Sequence, residues 1–340
     1  MQILFIIGNG FDINLGLKTG YIDFCKTYQR RKSKNPVIQA LKSDIKNGVY
    51  SWADLEKRLG EYSNKLESEQ DLRDIYQDIL LNLGNYLQKQ ENRKDWTGLK
   101  HGEFYNYLCS PENSLRQKDL NAITSFKNKW AQHRWEIDIV NFNYTTTIEN
   151  LFEVNPVNIR IGYHHNSAEI KLRRVMHIHG TLENMVLGVN DLSQILNEKF
   201  CKNQKITNFF IKSNNNRIQG HTIDEIFEQR ILGSNLICIF GSSIGETDNI
   251  WWEKIGQHLV TSSHCQLIIF TYIANLNKRL PYLYGEAEED MKQKFLNAAK
   301  LSEEEKKIVA EKIYVRTNTE MFSNLSPKEL SFKLEKSLLE

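Results

Sequence analysis

Seven short apolar runs, separated by long stretches of mixed polar and apolar residues, set the pattern of this chain. The runs contain many β-branched side chains, which is typical of strands buried in a sheet. Turn residues and then helical spacing follow the runs Ile3–Ile7, Ile137–Phe142 and Leu236–Phe240. This alternation predicts a parallel sheet covered by helices. The main predicted strands are Ile3–Ile7, Ile137–Phe142, Val175–His179, Leu236–Phe240 and Leu267–Tyr272. Shorter strands are predicted at Val157–Ile161 and Ile313–Arg316.

A different pattern separates the first two main strands. Leu72–Gln88 and Leu115–Gln132 carry apolar residues at helical spacing, and no convincing strand interrupts them. We therefore predict an α/β domain of residues 1–35 and 136–285, a helical insertion of residues 36–135, and a mainly helical segment of residues 286–340.

Three local signals refine this division. Ser51–Asp54 resembles a capping box, and Pro327 follows Ser326 at a suitable helix start. The asparagine-rich stretch 212–220 ends in glycine, which predicts a mobile surface loop.

Charge and cysteine content narrow the class of protein. The 340 residues carry a formal net charge of +2, which gives no strong signal for nucleic-acid binding. The five cysteines form no Cys-x-x-Cys pair, so neither a disulfide framework nor zinc is expected. The first apolar run is too short for a signal peptide or a membrane span, so we predict a cytoplasmic protein without a membrane partner.

The first candidate site follows the first strand. Gly-x-Gly permits a tight turn, and it can bring backbone N–H groups close to the phosphates of a nucleotide. The third glycine of the dinucleotide fingerprint is absent, because Ile13 stands there. The alternative is a tight turn without a ligand. The predicted ligand-binding residues are Gly8, Asn9, Gly10, Phe11 and Asp12.

Polar residues also follow the second strand, where ligands bind in open α/β sheets. Asn143 offers a donor and an acceptor, and it is followed by Tyr144 and three threonines that start at Thr145. The alternative is that these groups only satisfy backbone atoms.

Two histidines end the third main strand. His177 and His179 would face the same side of a strand, so a metal site is one reading. We favour a general base at His179, because it directly precedes Gly180 at the strand end.

Small residues follow the strand Leu236–Phe240. Gly241, Ser242 and Ser243 permit close approach of a ligand to the backbone. Asp248 either binds a ribose hydroxyl or lies in the first turn of a helix.

Taken in order, these motifs resemble the sirtuin-type NAD-binding fold. Ile7–Thr19, Trp52–Glu56 and Gly245–Asp248 together resemble more closely the bacteriophage abortive-infection AbiH family. The resemblance covers most of the chain. It implies a Rossmann-like parallel sheet with helices on both faces and a role in antiphage defence.

The resemblance also implies roles for matching residues. Gly8 and Gly10 would hold the pyrophosphate of NAD+, and Gly241 and Ser242 would lie beneath the adenosine ribose. His179 would be the catalytic histidine, and Asn143 would orient the nicotinamide ribose or the attacking water. Thr145 replaces the sirtuin aspartate and the zinc ribbon is missing, so NAD+ hydrolysis is favoured over protein deacetylation.

Three functions stay open at this point. The first is an NAD+ hydrolase of abortive infection that waits for a phage-derived or protein trigger and assembles as a homo-oligomer. The second is a non-catalytic sensor that binds NAD+ or a related nucleotide and signals to a partner. The third is a metal-dependent nuclease that uses Asp12, Asp54, Glu56 and Asp248. Glu56 itself is predicted to support a helix rather than to line the site.

Overall fold

The computed structural model describes residues 1–49, 52, 54–164, 167–323 and 325. The predicted helix starts at Ser51 and Pro327 lie outside these residues. The strands are β1 (Gln2–Ile7), β2 (Trp135–Asn141), β3 (Ile159–Tyr163), β4 (Glu169–His177), β5 (Leu236–Phe240), β6 (Gln266–Thr271) and β7 (Ile313–Thr317).

All seven predicted strands are present and form one sheet in the order β3-β4-β2-β1-β5-β6-β7. Only β3 is antiparallel to its neighbour, and every other pair is parallel. The fold is therefore α/β with a mostly parallel sheet. Some strand boundaries were predicted wrongly: β3 begins at Ile159 rather than Val157. β4 begins at Glu169 rather than Val175 and ends at His177, so His179 lies beyond it. Gly180 turns the chain there with φ +74°, and a Cβ atom at this position would lie 2.2 Å from the carbonyl oxygen of Asn184.

Helices connect the strands in the described part of the chain, and none of them has the length and apolar character needed to span a membrane. They are α1 (Gly10–Asn14), α2 (Tyr21–Tyr28), α3 (Pro36–Lys46), α4 (Leu55–Tyr62), α5 (Glu69–Arg93), α6 (His101–Cys109), α7 (Gln117–Asn128), α8 (Glu198–Cys201), α9 (Gln204–Phe210), α10 (Lys212–Ile218), α11 (Ile223–Gly233), α12 (Asn249–Thr261), α13 (Tyr282–Ala298) and α14 (Glu303–Ala310).

Two local predictions differ from these helices. The predicted loop 212–220 is mostly helix α10, because Lys212 and Asn216 are buried against polar partners that the sequence pattern does not show. No α-helix follows β2 directly, although helical spacing was predicted after this strand. A short 3₁₀ turn, Glu149–Leu151, occurs there instead, since Thr145 bonds to Asp12 rather than to a helix terminus.

Both faces of the sheet are covered. Alternate side chains of β1 point to opposite sides, so Phe5 packs in the cluster that contains α6 and α7, while Ile6 packs in the cluster of α11, α12 and α13. A third hydrophobic cluster joins α2, α3, α4 and α5 to residues 185–211. The helices between β1 and β2 therefore pack in two places: α2 to α5 in the third cluster, and α1, α6 and α7 in the first cluster, which contains Phe5.

The turns after β1 and β5 touch at the centre of the sheet. Gly10 N–H donates to the carbonyl of Gly241 at 2.8 Å, and Gly8 N–H donates to Phe240 at 2.9 Å. A Cβ atom at Gly10 would lie 2.6 Å from the Cα of Gly241, and one at Gly241 would lie 2.7 Å from the amide nitrogen of Phe11. Only glycines allow this backbone contact, so it explains the Gly-x-Gly sequence without requiring a ligand.

We expect Gly241→Ala to destabilise the fold far more than Gly48→Ala. Both glycines have similar positive φ angles, +68° and +65°, but nothing lies within 4 Å of a Cβ at Gly48. Gly48→Ala should cost about 1 kcal/mol through backbone strain. Gly241→Ala should cost about 2–4 kcal/mol, because overpacking adds ~1–3 kcal/mol. Urea denaturation measures both values, and equal losses would contradict the contact between the turns.

Candidate functional site

Two groups of buried polar residues lie beyond the carboxyl ends of the parallel strands, on the side where α/β sheets bind ligands. The first, here called the Asp12 cluster, consists of Asp12, Asn143, Thr145, Glu149 and His177. The second, called the Lys212 cluster, consists of Glu56, His179, Lys212 and Asp248.

Asp12 and Asn143 connect the turns after β1 and β2. Asn143 Nδ2 donates to the carbonyl of Gly8 at 3.2 Å and to Asp12 Oδ1 at 3.4 Å. Among the described residues, Asn143 Oδ1 accepts no hydrogen bond from the protein. The amide of Asn143 is thus held by its nitrogen, while its oxygen is available to a hydroxyl group or a water molecule.

Asp12 is bound by the hydroxyl group two residues after Asn143. The hydroxyl of Thr145 donates to Asp12 Oδ2 at 2.5 Å, so a carboxyl group does lie beside Asn143. Asp12 is fully buried. Burial raises its pKa to about 7, although the hydrogen bond from Thr145 opposes the shift.

His177 supports the backbone of this cluster. Its Nδ1 lies 2.9 Å from the carbonyl oxygen of Asn143, and its Nε2 lies 2.8 Å from Glu149 Oε1. Burial lowers the pKa of His177, but hydrogen bonding and attraction to Glu149 outweigh it and leave the pKa raised. An imidazolium would donate both bonds, so His177 holds the Asn143 loop in place.

Lys212 is the centre of the second cluster. Its Nζ donates to Glu56 Oε2 at 2.9 Å and to Asp248 Oδ1 at 2.8 Å. Glu56 belongs to α4, which begins where Asp54 accepts a hydrogen bond from the Lys57 amide. Lys212 therefore connects the helices of the third hydrophobic cluster to the residues that follow β5.

The charges of the Lys212 cluster depend on one another. Burial raises the pKa of Glu56, and Lys212 only partly offsets this. For Asp248, burial acts in the same upward direction, but Lys212 and His179 outweigh it and lower its pKa. Burial alone would lower the pKa of Lys212, yet Asp248 and Glu56 raise it. Lys212 is thus a permanent buried cation between two carboxyl groups.

His179 lies beside this cation in a small enclosed space. Its Nε2 is 2.9 Å from Asp248 Oδ1, without the alignment of a hydrogen bond, and neither ring nitrogen has a hydrogen-bond partner within the described protein. The side chain is 6% exposed, and its ring meets Phe142 edge to face. The adjoining cavity of about 20 Å³ also borders Asn216 and Asp224. A cavity of this size holds about one water molecule.

The turns after β1 and β5 offer backbone donors. In the described chain, the N–H groups of Asn9, Ser242 and Ser243 donate to no protein oxygen. Asn9 Oδ1 accepts from Thr19 at 2.5 Å, which fixes the first turn. Phe11 is fully buried between aromatic rings and can only pack. Backbone N–H groups without a protein acceptor can bind an anion.

The predicted site residues therefore divide between neighbouring places. Asn143 and Asp12 contact each other, and His179 contacts Asp248, but no hydrogen bond joins the two predicted catalytic residues within the described part of the chain. Tyr144 lies between the clusters, since its hydroxyl is 3.4 Å from Glu56 Oε1.

Sequence analysis missed Lys212 and Asn216. Lys212 stands in a polar stretch that looks exposed, and its partners are 156 and 36 residues away along the chain. The one available signal was Glu56 within the Trp52–Glu56 motif, because a carboxylate on a helix with buried neighbours requires a partner.

The four acidic residues of the nuclease hypothesis do not gather in one cluster. Asp12 bonds to Thr145, Asp54 caps α4, and the other two bind Lys212. Within the described residues, no group of three or more histidine, cysteine, aspartate or glutamate side chains is arranged to hold a metal ion.

The order of motifs along this geometry matches a known family. The family model for bacteriophage abortive infection AbiH matches residues 4–271, which is more than half of the chain. The chain belongs to the AbiH family. The predicted resemblance to AbiH is therefore confirmed, and family membership associates the chain with antiphage abortive-infection defence. A comparison with curated proteins finds no match.

In this AbiH family member, both clusters and the contact between the β1 and β5 turns lie within the matched residues. The match ends at the last residue of β6, so β7 and α14 lie outside it.

The raised pKa of Asp12 gives a pH-dependent stability. Between about pH 4 and 7 the folded protein retains a proton on Asp12 that the unfolded chain releases, so the free energy of unfolding falls as pH rises. Asp12→Asn removes the titrating carboxyl group, so this decrease in the free energy of unfolding no longer occurs. Relative to wild type, the variant should gain up to about 1.4 kcal/mol per pH unit across this window.

Chemical denaturation at several pH values between 4 and 8 measures the difference. Thr145→Val is the control, because it removes the hydrogen bond to Asp12 but keeps the carboxyl group. Because that hydrogen bond lowers the pKa of Asp12, Thr145→Val should keep the fall in the free energy of unfolding and extend it to higher pH. A constant difference between Asp12→Asn and wild type at every pH would contradict the raised pKa.

Proposed function

We propose that this AbiH family member acts in antiphage defence by hydrolysing NAD+ to nicotinamide and ADP-ribose at the carboxyl end of its sheet. The observation that carries the proposal is the arrangement of Asn143, whose amide nitrogen is held by Gly8 and Asp12 while its oxygen has no protein partner among the described residues. Such a group can orient a ribose hydroxyl or a water molecule.

The sheet supports the binding of a dinucleotide. Its six parallel strands run in the order β4-β2-β1-β5-β6-β7, which is the order of Rossmann-like nucleotide-binding sheets. The connections reverse direction between β1 and β5, where the N–H groups of Asn9, Ser242 and Ser243 are unused. These donors would hold the pyrophosphate, and Asn143 beside them would face the ribose of the nicotinamide half.

The chain's own groups can supply the chemistry. The bond between ribose C1 and the nicotinamide nitrogen breaks with its electron pair going to nicotinamide, which leaves as a neutral molecule. This cleavage passes through an oxocarbenium-like transition state, as in other glycoside hydrolyses. Water adds to C1, and its proton passes to a ring nitrogen of His179. Neither ring nitrogen has a hydrogen-bond partner in the described protein.

Asp248 would stabilise the imidazolium that forms. Its Oδ1 lies 2.9 Å from Nε2 of His179, and its lowered pKa keeps it ionised near neutral pH, since Lys212 and His179 outweigh the effect of burial. A carboxylate near a histidine that receives a proton favours the charged state.

A sensor function is the second candidate, and one observation favours it. His179 adjoins a cavity of only about 20 Å³, which excludes a nucleotide. A chain with this cavity closed could bind NAD+ or a related nucleotide through the β1 and β5 turns alone and signal to a partner.

Turnover of NAD+ by the purified chain tests the proposal. We expect nicotinamide release by the wild type in the presence of phage-infected cell extract, and a loss of at least about a hundredfold in both Asn143→Ala and His179→Ala. His258→Ala is the matched control, because His258 is also buried but bonds to the carbonyl of Ser234 and to neither cluster. It should keep the wild-type rate.

The outcomes separate the candidates. Full turnover by His179→Ala would overturn the catalytic role of His179. Saturable NAD+ binding by calorimetry without any nicotinamide release, with or without extract, would favour the sensor. Absence of both binding and release would refute both nucleotide functions.

A further inference from the structure

The walls of the cavity beside His179 differ in how they are attached to the protein. Ile178 and Trp251 belong to a hydrophobic core cluster. Lys212, Ser213 and Asn216 come from α10. No side chain of residues 212–220 belongs to any of the three hydrophobic clusters, and Ile218 is 56% exposed. This wall is therefore held by polar contacts alone.

The sequence of α10 adds little stability of its own. Ser213 and the three asparagines that follow are poor helix formers, because their short polar side chains compete for backbone hydrogen bonds. Segments with few buried apolar contacts open at low free energy. Opening of 212–220 would leave all three hydrophobic clusters intact.

Specific polar contacts hold α10 closed. Lys212 binds Glu56 and Asp248, and Asn216 Nδ2 donates to Asp224 at 2.9 Å and to the carbonyl of Ile178 at 3.4 Å. The two hydrogen bonds of Lys212 are the strongest of these contacts, because both acceptors are buried carboxyl groups.

The two ends of the segment are suited to movement about a fixed point. Before α10, Val189 and Ile211 form a β-bridge, and Lys212 N–H donates to the carbonyl of Val189 at 3.1 Å. After α10, Gly220 has φ +74° with nothing within 4 Å of a Cβ. The first end is anchored and the second is free of steric contact.

We propose that residues 212–220 form a lid over His179 and that Lys212, bound to Glu56 and Asp248, is the latch that keeps it closed. The role of the lid as a regulator rests on the proposed function, because a nucleotide reaches His179 only when the cavity enlarges. An activating event would separate Lys212 from its carboxyl partners.

Hydrogen–deuterium exchange of the full chain tests the latch. The double variant Lys212→Met, Glu56→Gln removes one positive and one negative charge, and the glutamine side chain keeps an oxygen for Tyr144 and Gly188. We expect the amides of 212–220 to exchange at least about tenfold faster than in wild type, while those of β1 and β5 stay protected.

The matched control is Lys127→Met, Glu112→Gln. Lys127 and Glu112 also form a buried pair, with Nζ 2.6 Å from Oε1, but Lys127 lies on α7. This variant should leave exchange in 212–220 unchanged. Unchanged exchange of 212–220 in the Lys212 variant, or an equal rise across the whole chain, would overturn the latch.

A second measurement does not depend on the stability of a variant. In the wild type, amides of 212–218 should exchange at least about tenfold faster than those of α11, which contributes Phe227 and Ile231 to the core. Equal protection of the two helices would overturn the lid.

Access to His179 gives an independent readout. Diethyl pyrocarbonate, which acylates neutral imidazole nitrogens, should modify His179 faster in the Lys212 variant, while buried His258 serves as the internal reference. Faster exchange and modification in the variant would support the lid. The chemistry is tested separately on the wild type with extract, because Lys212 also keeps Asp248 ionised. Turnover without either change would leave the chemistry and overturn the lid.

Discussion

The backbone contact between Gly10 and Gly241 is the constraint on which the rest of the structure depends. It joins the turns after β1 and β5 at the point where the strand connections reverse direction, and it leaves no room for a side chain at Gly10 or Gly241. Because the two turns are fixed to each other, Asp12 in α1 is held next to Asn143. The segment that leads from β5 to Asp248 begins from the same fixed point. The glycines are therefore explained first by the fold.

Buried charge is the second organising feature. Asp12 has a pKa raised to about 7 by burial, whereas Asp248 stays ionised because Lys212 and His179 outweigh its burial. Two carboxyl groups at the same end of one sheet thus differ in protonation near neutral pH. Such divergence is common at functional sites, although structural ion pairs also cause it. Here the same cation that keeps Asp248 ionised belongs to the helix that closes the cavity beside His179, so electrostatics and access are linked through Lys212.

Much of the fold was predictable because its signals are local. All seven strands, the helices between β1 and β2, and the parallel arrangement followed from apolar runs and helical spacing. The AbiH family was also predictable, since Ile7–Thr19 and two shorter motifs carry it. The errors arose where tertiary contacts override local preference. Residues 212–220 look like a loop, yet α10 forms there because Lys212 and Asn216 find buried partners.

The sequence by itself determined which segments become strands and most of those that become helices. It also placed Asn143 and His179 at or just after the ends of strands in one sheet, because hydrophobic periodicity and turn residues act over a few positions. Only the tertiary structure decided which polar groups meet. Asp12 meets Thr145 at a separation of 133 residues, and Lys212 meets Glu56 at a separation of 156 residues. No pattern along the chain encodes such pairs, since burial and long-range packing, rather than sequence spacing, determine which charges must be neutralised and by which partner.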